Sequence, residues 1–187
     1  MSPLILLAVA VALSLDAAAE AIARGNGVRR PSWAAAVGMG VVFAGFQILL
    51  PCLGWWLAVS AQGLLAGHDR WVACILLATM GARMLWEATT RAAEADAAAG
   101  WPSPVRLLGL GLVTSLDGFA AGVGFATLGI APLLPALVIG ALTLVVTVLG
   151  ARHARLLGLR GARVAAITGG LLLIAIGIGI VLGHNAI

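Results

Sequence analysis

The sequence predicts an all-α, polytopic membrane protein in which six transmembrane helices form two inverted repeats of three helices each. Its 187 residues are 62% hydrophobic and only 10% charged, which is too apolar to supply the polar surface of a soluble domain. Six apolar stretches approach the ~20 residues that a helix needs to cross a bilayer. In addition, the motif Ser-Leu-Asp at residues 14–16 returns at residues 115–117, which indicates an internal repeat.

Short loops join the predicted helices, so we expect a single transmembrane domain over residues 1–187. The helices are expected at residues 3–23, 33–57, 71–88, 104–126, 132–151 and 162–183. Repeat one covers residues 1–90, a cytoplasmic loop covers 91–103, and repeat two covers 104–187. Because each repeat has an odd number of helices, the second repeat must cross the membrane in the opposite direction, as in many secondary transporters.

The arginines predict the orientation of these helices. Nine of the eleven lie on one side of the predicted membrane, whereas Arg70 alone lies on the other. An excess of basic residues marks the cytoplasmic side, so both termini are expected on the periplasmic or extracellular side. The net charge of +4 then reflects orientation and does not indicate a nucleic-acid partner. Tryptophans are expected at both interfaces, with Trp33, Trp86 and Trp101 inside and Trp55, Trp56 and Trp71 outside.

Asp16 and Asp117 place ionisable groups within stretches that otherwise suit lipid. A charge at this depth costs roughly 3 kcal/mol or more, so an intramembrane carboxylate predicts a functional site. Each lies about 13 residues from the start of its predicted helix, near the middle of the bilayer at ~1.5 Å per residue. Small residues follow each of them, including the pair Gly118 and Gly122, at the spacing that lets helices approach closely. The alternative is a pair of protonated carboxyl groups that only join helices.

No Lys or Arg is expected near the midplane, so two facing carboxylates must share protons or bind a cation. Carboxylate oxygens suit Mg²⁺, Ca²⁺ or Mn²⁺, and no thiolate set favours zinc or copper. Neutral oxygens for the remaining coordination positions are expected from Ser14, Thr114, Ser115, Gln47 and Thr143. Helices two and five also align, because Gln47, Pro51 and Gly54 fall opposite Thr143, Thr147 and Gly150.

Two further acids lie near the predicted cytoplasmic side. Glu20 is one turn beyond Asp16 and four residues before Arg24, so it is either a third carboxylate at a cytoplasmic entrance or a partner in an ion pair. Glu87 lies four residues after Arg83, which favours a structural ion pair.

Motifs for catalysis are lacking in the sequence. We find no P-loop, no HExxH spacing and no nucleophile with a base, so we predict that the protein is not an enzyme and has no permanently bound cofactor. His68, His153 and His184 are expected in loops or at the C-terminus. Cys52 and Cys74 match no metal spacing; a disulfide between them is open, but buried thiols are favoured.

Several stretches resemble a known family. They are residues 14–17 with 24–25, residues 40–43 through 51–55, residues 81–84 with Glu87, and residues 114–117 with 122–124. At these positions the chain resembles the MntP family of manganese efflux pumps, within the LysE transporter superfamily. The resemblance implies a bacterial inner-membrane exporter of Mn²⁺, with Asp16 and Asp117 as metal-site residues. The family usually has Glu where this chain has Gln47, and a small residue where it has Glu20, which points to a swapped ligand or an altered choice of cation.

The first hypothesis is therefore secondary-active efflux of a divalent cation, Mn²⁺ above all, by alternating access and with proton exchange as the driving reaction. One alternative is a non-transporting membrane scaffold whose carboxylates hold subunits together. Another is an exporter of an organic cation or amino acid, against which the absence of a central Arg clamp argues. The expected partners are the lipid bilayer, the cation and protons, and a homo-oligomer is compatible with the sequence.

Overall fold

The computed structural model describes residues 3–28, 31–60, 69–90 and 98–182. Within these ranges the chain forms helices and no strand, so the predicted all-α class is confirmed. The helices are α1 Pro3–Asn26, α2 Trp33–Ser60, α3 Asp69–Thr89, α4 Pro104–Thr114, α5 Leu116–Thr127, α6 Leu133–Arg152 and α7 Ala154–Leu182.

Five stretches of the described chain are long and apolar enough to cross a membrane. They are Leu6–Asn26, Trp33–Ser60, Pro104–Thr127, Leu133–Arg152 and Ala154–Gly179. The predicted third span is helical, as α3, but is not among the five; it carries Arg83 and Glu87 within 21 residues. Large apolar side chains such as Trp33, Trp56 and Val105 are exposed on the outer surface, where lipid would cover them. The chain is thus a multi-pass membrane protein.

Two of the predicted helices differ from what the sequence suggested. The predicted fourth helix, residues 104–126, is broken at Ser115, whose φ of −105° and ψ of 6° end α4 and precede α5. The last helix begins at Ala154 rather than at residue 162, and Gly158 kinks it with a φ of 61° and a ψ of 179°. Glycine adopts this positive φ without the steric cost of a β-carbon, so the kink occurs where the sequence permits it.

Each helix of the aspartate pair, α1 and α5, packs against at least two other helices of the bundle. α1 packs against α6 and α7, α2 packs against α5 and α6, and α3 packs against α7 and α5. α1 ends beside the start of α7, where Asn26 Nδ2 donates to the Ala154 carbonyl over 2.9 Å. We call this the arginine-rich end, because Arg24, Arg152 and Arg155 lie there. The largest apolar core cluster includes Leu13, Leu77, Phe125 and Leu173.

Contacts in the two halves of the chain correspond to each other. Gly54 of α2 lies against the backbone carbonyl of Phe119 in α5, and Gly150 of α6 lies near the backbone carbonyl of Ala18 in α1. Phe119 follows Ala18 by the 101 residues that separate Asp16 from Asp117, and Gly150 follows Gly54 by the 96 residues of the alignment between helices two and five. The same packing relationship therefore occurs twice.

Candidate metal site

Asp16 and Asp117 both lie inside the protein. Both are buried, and they are close enough for their charges to interact. Asp16 lies on the second half of α1, and Asp117 lies in the first turn of α5, just after the break at Ser115. The Oδ2 atom of each carboxylate is buried without a hydrogen-bond donor. Two carboxylate oxygens without donors in a buried place are suited to a cation.

Asp117 is held by its own helix and by α2. The Gly118 backbone N–H donates to Asp117 Oδ1 over 2.7 Å. Gln47 Nε2 approaches the same oxygen at 3.5 Å, at the limit of a hydrogen bond. Gln47 is fully buried, and its Oε1 has no donor, so an amide oxygen faces the interior beside the carboxylate.

Two glycines of α5 allow the backbones of α2 and α5 to approach each other closely. A β-carbon on Gly122 would overlap the carbonyl of Pro51, and one on Gly118 would lie 2.5 Å from Gln47 Oε1. The predicted close approach at Gly118 and Gly122 is therefore present, and α2 is the helix that comes near. Pro51 has no N–H to bond the carbonyl of Gln47 four residues earlier, which leaves another oxygen of α2 without its helical donor.

A cleft of about 260 Å³ leads from the arginine-rich end to Asp16. Its charged and polar lining residues are Asp16, Glu20, Arg83, Glu87, Thr114 and Arg163. The side chain of Glu87 is 42% exposed, that of Arg83 is 29% exposed, and that of Asp16 is 9% exposed. The exposed fraction of the side chain thus falls from Glu87 through Arg83 to Asp16, and Asp117 is not among the residues that line the cleft.

Arg83 corrects the expectation that no basic residue lies near the aspartates. Its Nη2 is 3.8 Å from Asp16 Oδ2, and its Nε is 3.5 Å from Glu87 Oε1. The long side chain of Arg83 extends from α3 along the cleft to Asp16. The spacing of residues in the sequence does not predict this contact. The absence of an Arg clamp therefore no longer argues against an organic substrate.

Glu20 fits both of the readings that the sequence left open. It pairs with Arg24 on the same helix, with Nε and Oε1 2.8 Å apart, and it also lines the cleft one turn from Asp16. The predicted pair of Arg83 and Glu87 is present as well, although Arg83 divides its contacts between Glu87 and Asp16.

The neutral oxygens predicted as ligands fall into two groups. The hydroxyls of Ser14 and Thr114 donate within their own helices, to the carbonyls of Val11 and Leu110 over 2.9 Å each. Ser115 and Thr143 are fully buried, and their hydroxyls have no partner. Thr147 is also fully buried, and its hydroxyl has no partner, although it was not among the predicted ligands. Its alignment with Pro51 in the sequence is the signal that could have identified it.

Histidine and cysteine contribute little to this site. Among the described residues, no group of three or more His, Cys, Asp or Glu side chains is arranged to hold a metal. Cys52 and Cys74 are free thiols, and both are only partly buried, so the expectation of buried thiols is wrong. His153 is exposed beside the carbonyl of Leu149. His68 and His184 lie outside the described residues. A cation here would have two carboxylates and otherwise neutral oxygens as ligands.

Comparison with known proteins gives a consistent result. A family model described as "Putative manganese efflux pump" matches residues 30–181. A protein of Xanthomonas campestris named "Putative manganese efflux pump MntP" is 38% identical over 98% of this chain and 97% of its own length. Proteins with the same name from Nitratidesulfovibrio vulgaris, at 38% identity over 99% and 93%, and Mannheimia succiniciproducens, at 33% over 99% and 98%, also match. No solved structure matches the chain. The family is one of transporters, not of enzymes, and this chain belongs to it: it is a member of the MntP family.

Proposed function

We propose that this protein is a secondary-active exporter of a divalent cation, and that the cation is Mn²⁺. The observation that carries the proposal is the burial of Asp16 and Asp117 inside the protein, each with a carboxylate oxygen that lacks a hydrogen-bond donor. Hard oxygen ligands favour Mg²⁺, Ca²⁺ and Mn²⁺. The names of the relatives, putative manganese efflux pumps, support manganese among these three.

The cation would enter through the cleft at the arginine-rich end. Glu20 lies on the cleft wall one turn from Asp16, where its charge would attract a cation toward the aspartates. The cation would then bind between Asp16 and Asp117, with Gln47, Ser115 and Thr143 as neutral ligands. Ser14 and Thr114 retain lone pairs that are not used by the hydrogen bonds they donate.

Alternating access by two inverted repeats would release the cation on the other side. The duplicated contacts, Gly54 with Phe119 and Gly150 with Ala18, support a repeat in which α1 to α3 correspond to α4 to α7. The break at Ser115 beside Asp117 agrees with the discontinuous helices that line ion sites in such transporters. In this proposal α3 is the sixth span, since it packs along the spanning helix α7.

Loop charges support the proposed orientation. The arginine-rich end would face the cytoplasm of a bacterium, with both termini outside the inner membrane. The described cleft then opens toward the cytoplasm, as an exporter ready to take up its substrate requires. Proton exchange would drive transport, because carboxylates that release a metal can take up protons.

The direct test is Mn²⁺ transport into inside-out proteoliposomes by the wild type and by Asp16→Asn and Asp117→Asn. Each substitution keeps the size of the side chain and removes its charge, so we expect loss of at least ~90% of transport, as for residues that contact the substrate. Asn variants that fold normally and transport as the wild type does would overturn the site. Variants that lose only their assembly state on a sizing column would support the scaffold hypothesis.

Export of an organic cation or amino acid is a second candidate, favoured by one observation. Arg83 and Asp16 line the same 260 Å³ cleft and could bind the carboxylate and the amino group of an amino acid. The guanidinium of Arg83 lies within 4 Å of two carboxylates of the protein, however, and these would compete with a substrate carboxylate for it. Competition of excess lysine or arginine against Mn²⁺ in the same proteoliposomes separates the two candidates.

A further inference from the structure

Arg83 lies between two acids without a close contact to either. Its guanidinium is 3.8 Å from Asp16 Oδ2 and 3.5 Å from Glu87 Oε1. The ion pair of Arg24 with Glu20, in the same part of the protein, has a distance of 2.8 Å, which is typical of a charge-assisted hydrogen bond. Arg83 is therefore near both carboxylates, but no short hydrogen bond fixes it to one of them.

The oxygen that Arg83 approaches is the one that a cation would need. Asp16 Oδ2 is buried without a hydrogen-bond donor. Among the described residues, the cationic group within 4 Å of this oxygen is the guanidinium of Arg83. A metal ion bound to this oxygen would meet the positive guanidinium at close range. The two positive charges repel each other in a site of low polarity, so Arg83 and the metal compete for Asp16.

The formal charges around Arg83 indicate a second position for its guanidinium, beside Glu87. Asp16, Asp117 and Glu87 carry three formal negative charges and Arg83 carries one positive charge, so the four groups together are at −2. A divalent cation bound at the aspartates would offset this excess of negative charge. Arg83 could then pair with Glu87 alone, four residues along the same helix, without leaving the cleft.

We propose that Arg83 is a tethered competitor of the transported cation: it neutralises Asp16 while the site is empty and withdraws to Glu87 when the cation binds. This inference rests on the proposed function and adds a positioning residue to it. Return of Arg83 to Asp16 would help to expel the cation. Substrate release, and not only binding, then depends on Arg83.

The experiment measures Mn²⁺ affinity by calorimetry on purified protein and the maximal transport rate in proteoliposomes. For Arg83→Gln we expect a dissociation constant lower by roughly tenfold or more, because a neighbouring positive charge is lost. We expect its maximal rate to fall, because release slows. Arg83→Lys keeps the charge and should stay within about threefold of the wild type in affinity. The matched control is Arg106→Gln, which removes the same charge from an exposed position of α4 and should leave both quantities unchanged.

The variant Glu87→Gln tests whether Arg83 moves to Glu87 when the cation binds. Without Glu87, Asp16 remains as the acid within 4 Å of Arg83, so Mn²⁺ should bind more weakly than to the wild type. In the Arg83→Gln background, Glu87→Gln should have little further effect, and this non-additivity distinguishes competition from simple attraction by Glu87.

Each outcome decides the inference. Tighter binding with slower transport in Arg83→Gln, together with the non-additive cycle, supports it. Weaker or unchanged binding in Arg83→Gln, or additive effects of the two substitutions, overturns it while leaving the proposed function intact. A wild type that binds no Mn²⁺ overturns the proposed function, and the inference with it.

Discussion

Gly54 of α2 lies against the backbone carbonyl of Phe119 in α5, so closely that a β-carbon on the glycine would overlap it. This contact and that of Gly122 with Pro51 hold α2 against the helix that carries Asp117. Backbone atoms cannot move away as the end of a side chain can. The position of Gln47 beside Asp117 therefore depends on residues that lack a side chain.

Gly54→Ala should destabilise the protein strongly. We expect a loss of about 1–3 kcal/mol in the free energy of unfolding, because the added methyl group forces two helices apart. Gly45→Ala is the control on the same helix, since a β-carbon there has no neighbour within 4 Å. Thermal unfolding in detergent measures both. Equal melting temperatures for the two variants would contradict the close approach of α2 and α5.

Ser115→Ala should separate a ligand role from a structural one. The hydroxyl of Ser115 is fully buried without a hydrogen-bond partner, so its removal should not lower stability by more than about 0.5 kcal/mol. If Ser115 is a ligand, Mn²⁺ affinity should fall by roughly threefold to tenfold, the effect of one lost oxygen contact. Calorimetry and thermal unfolding on the same preparation give both quantities. Thr127→Val is the comparison, because the Thr127 hydroxyl donates to the Gly124 carbonyl within α5 and is not among the candidate ligands. Unchanged Mn²⁺ affinity in Ser115→Ala would exclude the hydroxyl as a ligand.

Gln47→Glu should make the protein more dependent on its cation. The new carboxylate would lie near Asp117, whose Oδ1 is 3.5 Å from the Gln47 amide nitrogen. Two like charges in a buried site repel each other, so the variant should melt at a lower temperature than the wild type without metal. A divalent cation offsets this repulsion, so the increase in melting temperature on adding Mn²⁺ should exceed that of the wild type. An equal increase in the two proteins would place position 47 outside the cation site.

The orientation can be tested with single cysteines. In a protein with Cys52 and Cys74 replaced by Ala, a cysteine at Gly100, between α3 and α4, should react with a membrane-impermeant maleimide only after the cells are opened. A cysteine at Ile187 should react in intact spheroplasts. The reason is the excess of arginine at the end of the bundle assigned to the cytoplasm. The reverse pattern of labelling would invert the proposed orientation and turn the described cleft toward the outside.

Much of the candidate site followed from the repeated motif. Two carboxylates in equivalent apolar helices are costly unless they meet, and this argument predicted the approach of Asp16 and Asp117. The position of Arg83 could not be predicted in this way. Its spacing to Glu87 is visible within one helix, but its contact with Asp16 depends on how α3 packs against the rest of the bundle.

The helix breaks show a second limit of the sequence. Ser115 lies in a stretch that is apolar enough to be read as one continuous span, because hydropathy averages over a window longer than a single turn. The sequence likewise predicts that the last helix begins at residue 162, after Gly158. In the structure this helix begins at Ala154 and is kinked at Gly158. Average hydropathy therefore does not predict the backbone angles at single positions such as these.

The helices that carry the two aspartates differ in the residues that follow the carboxylate, although the motif Ser-Leu-Asp is the same in both. Glu20 and Arg24 lie one and two turns beyond Asp16, whereas the residues at the same distances beyond Asp117 are Ala121 and Phe125, both within the apolar core. A cation would therefore meet charged side chains on one side of the aspartates and the apolar side chains of Ala121 and Phe125 on the other. Apolar surroundings raise the free energy of a bare ion, so in the proposed cycle this second side must open to water before the cation can leave.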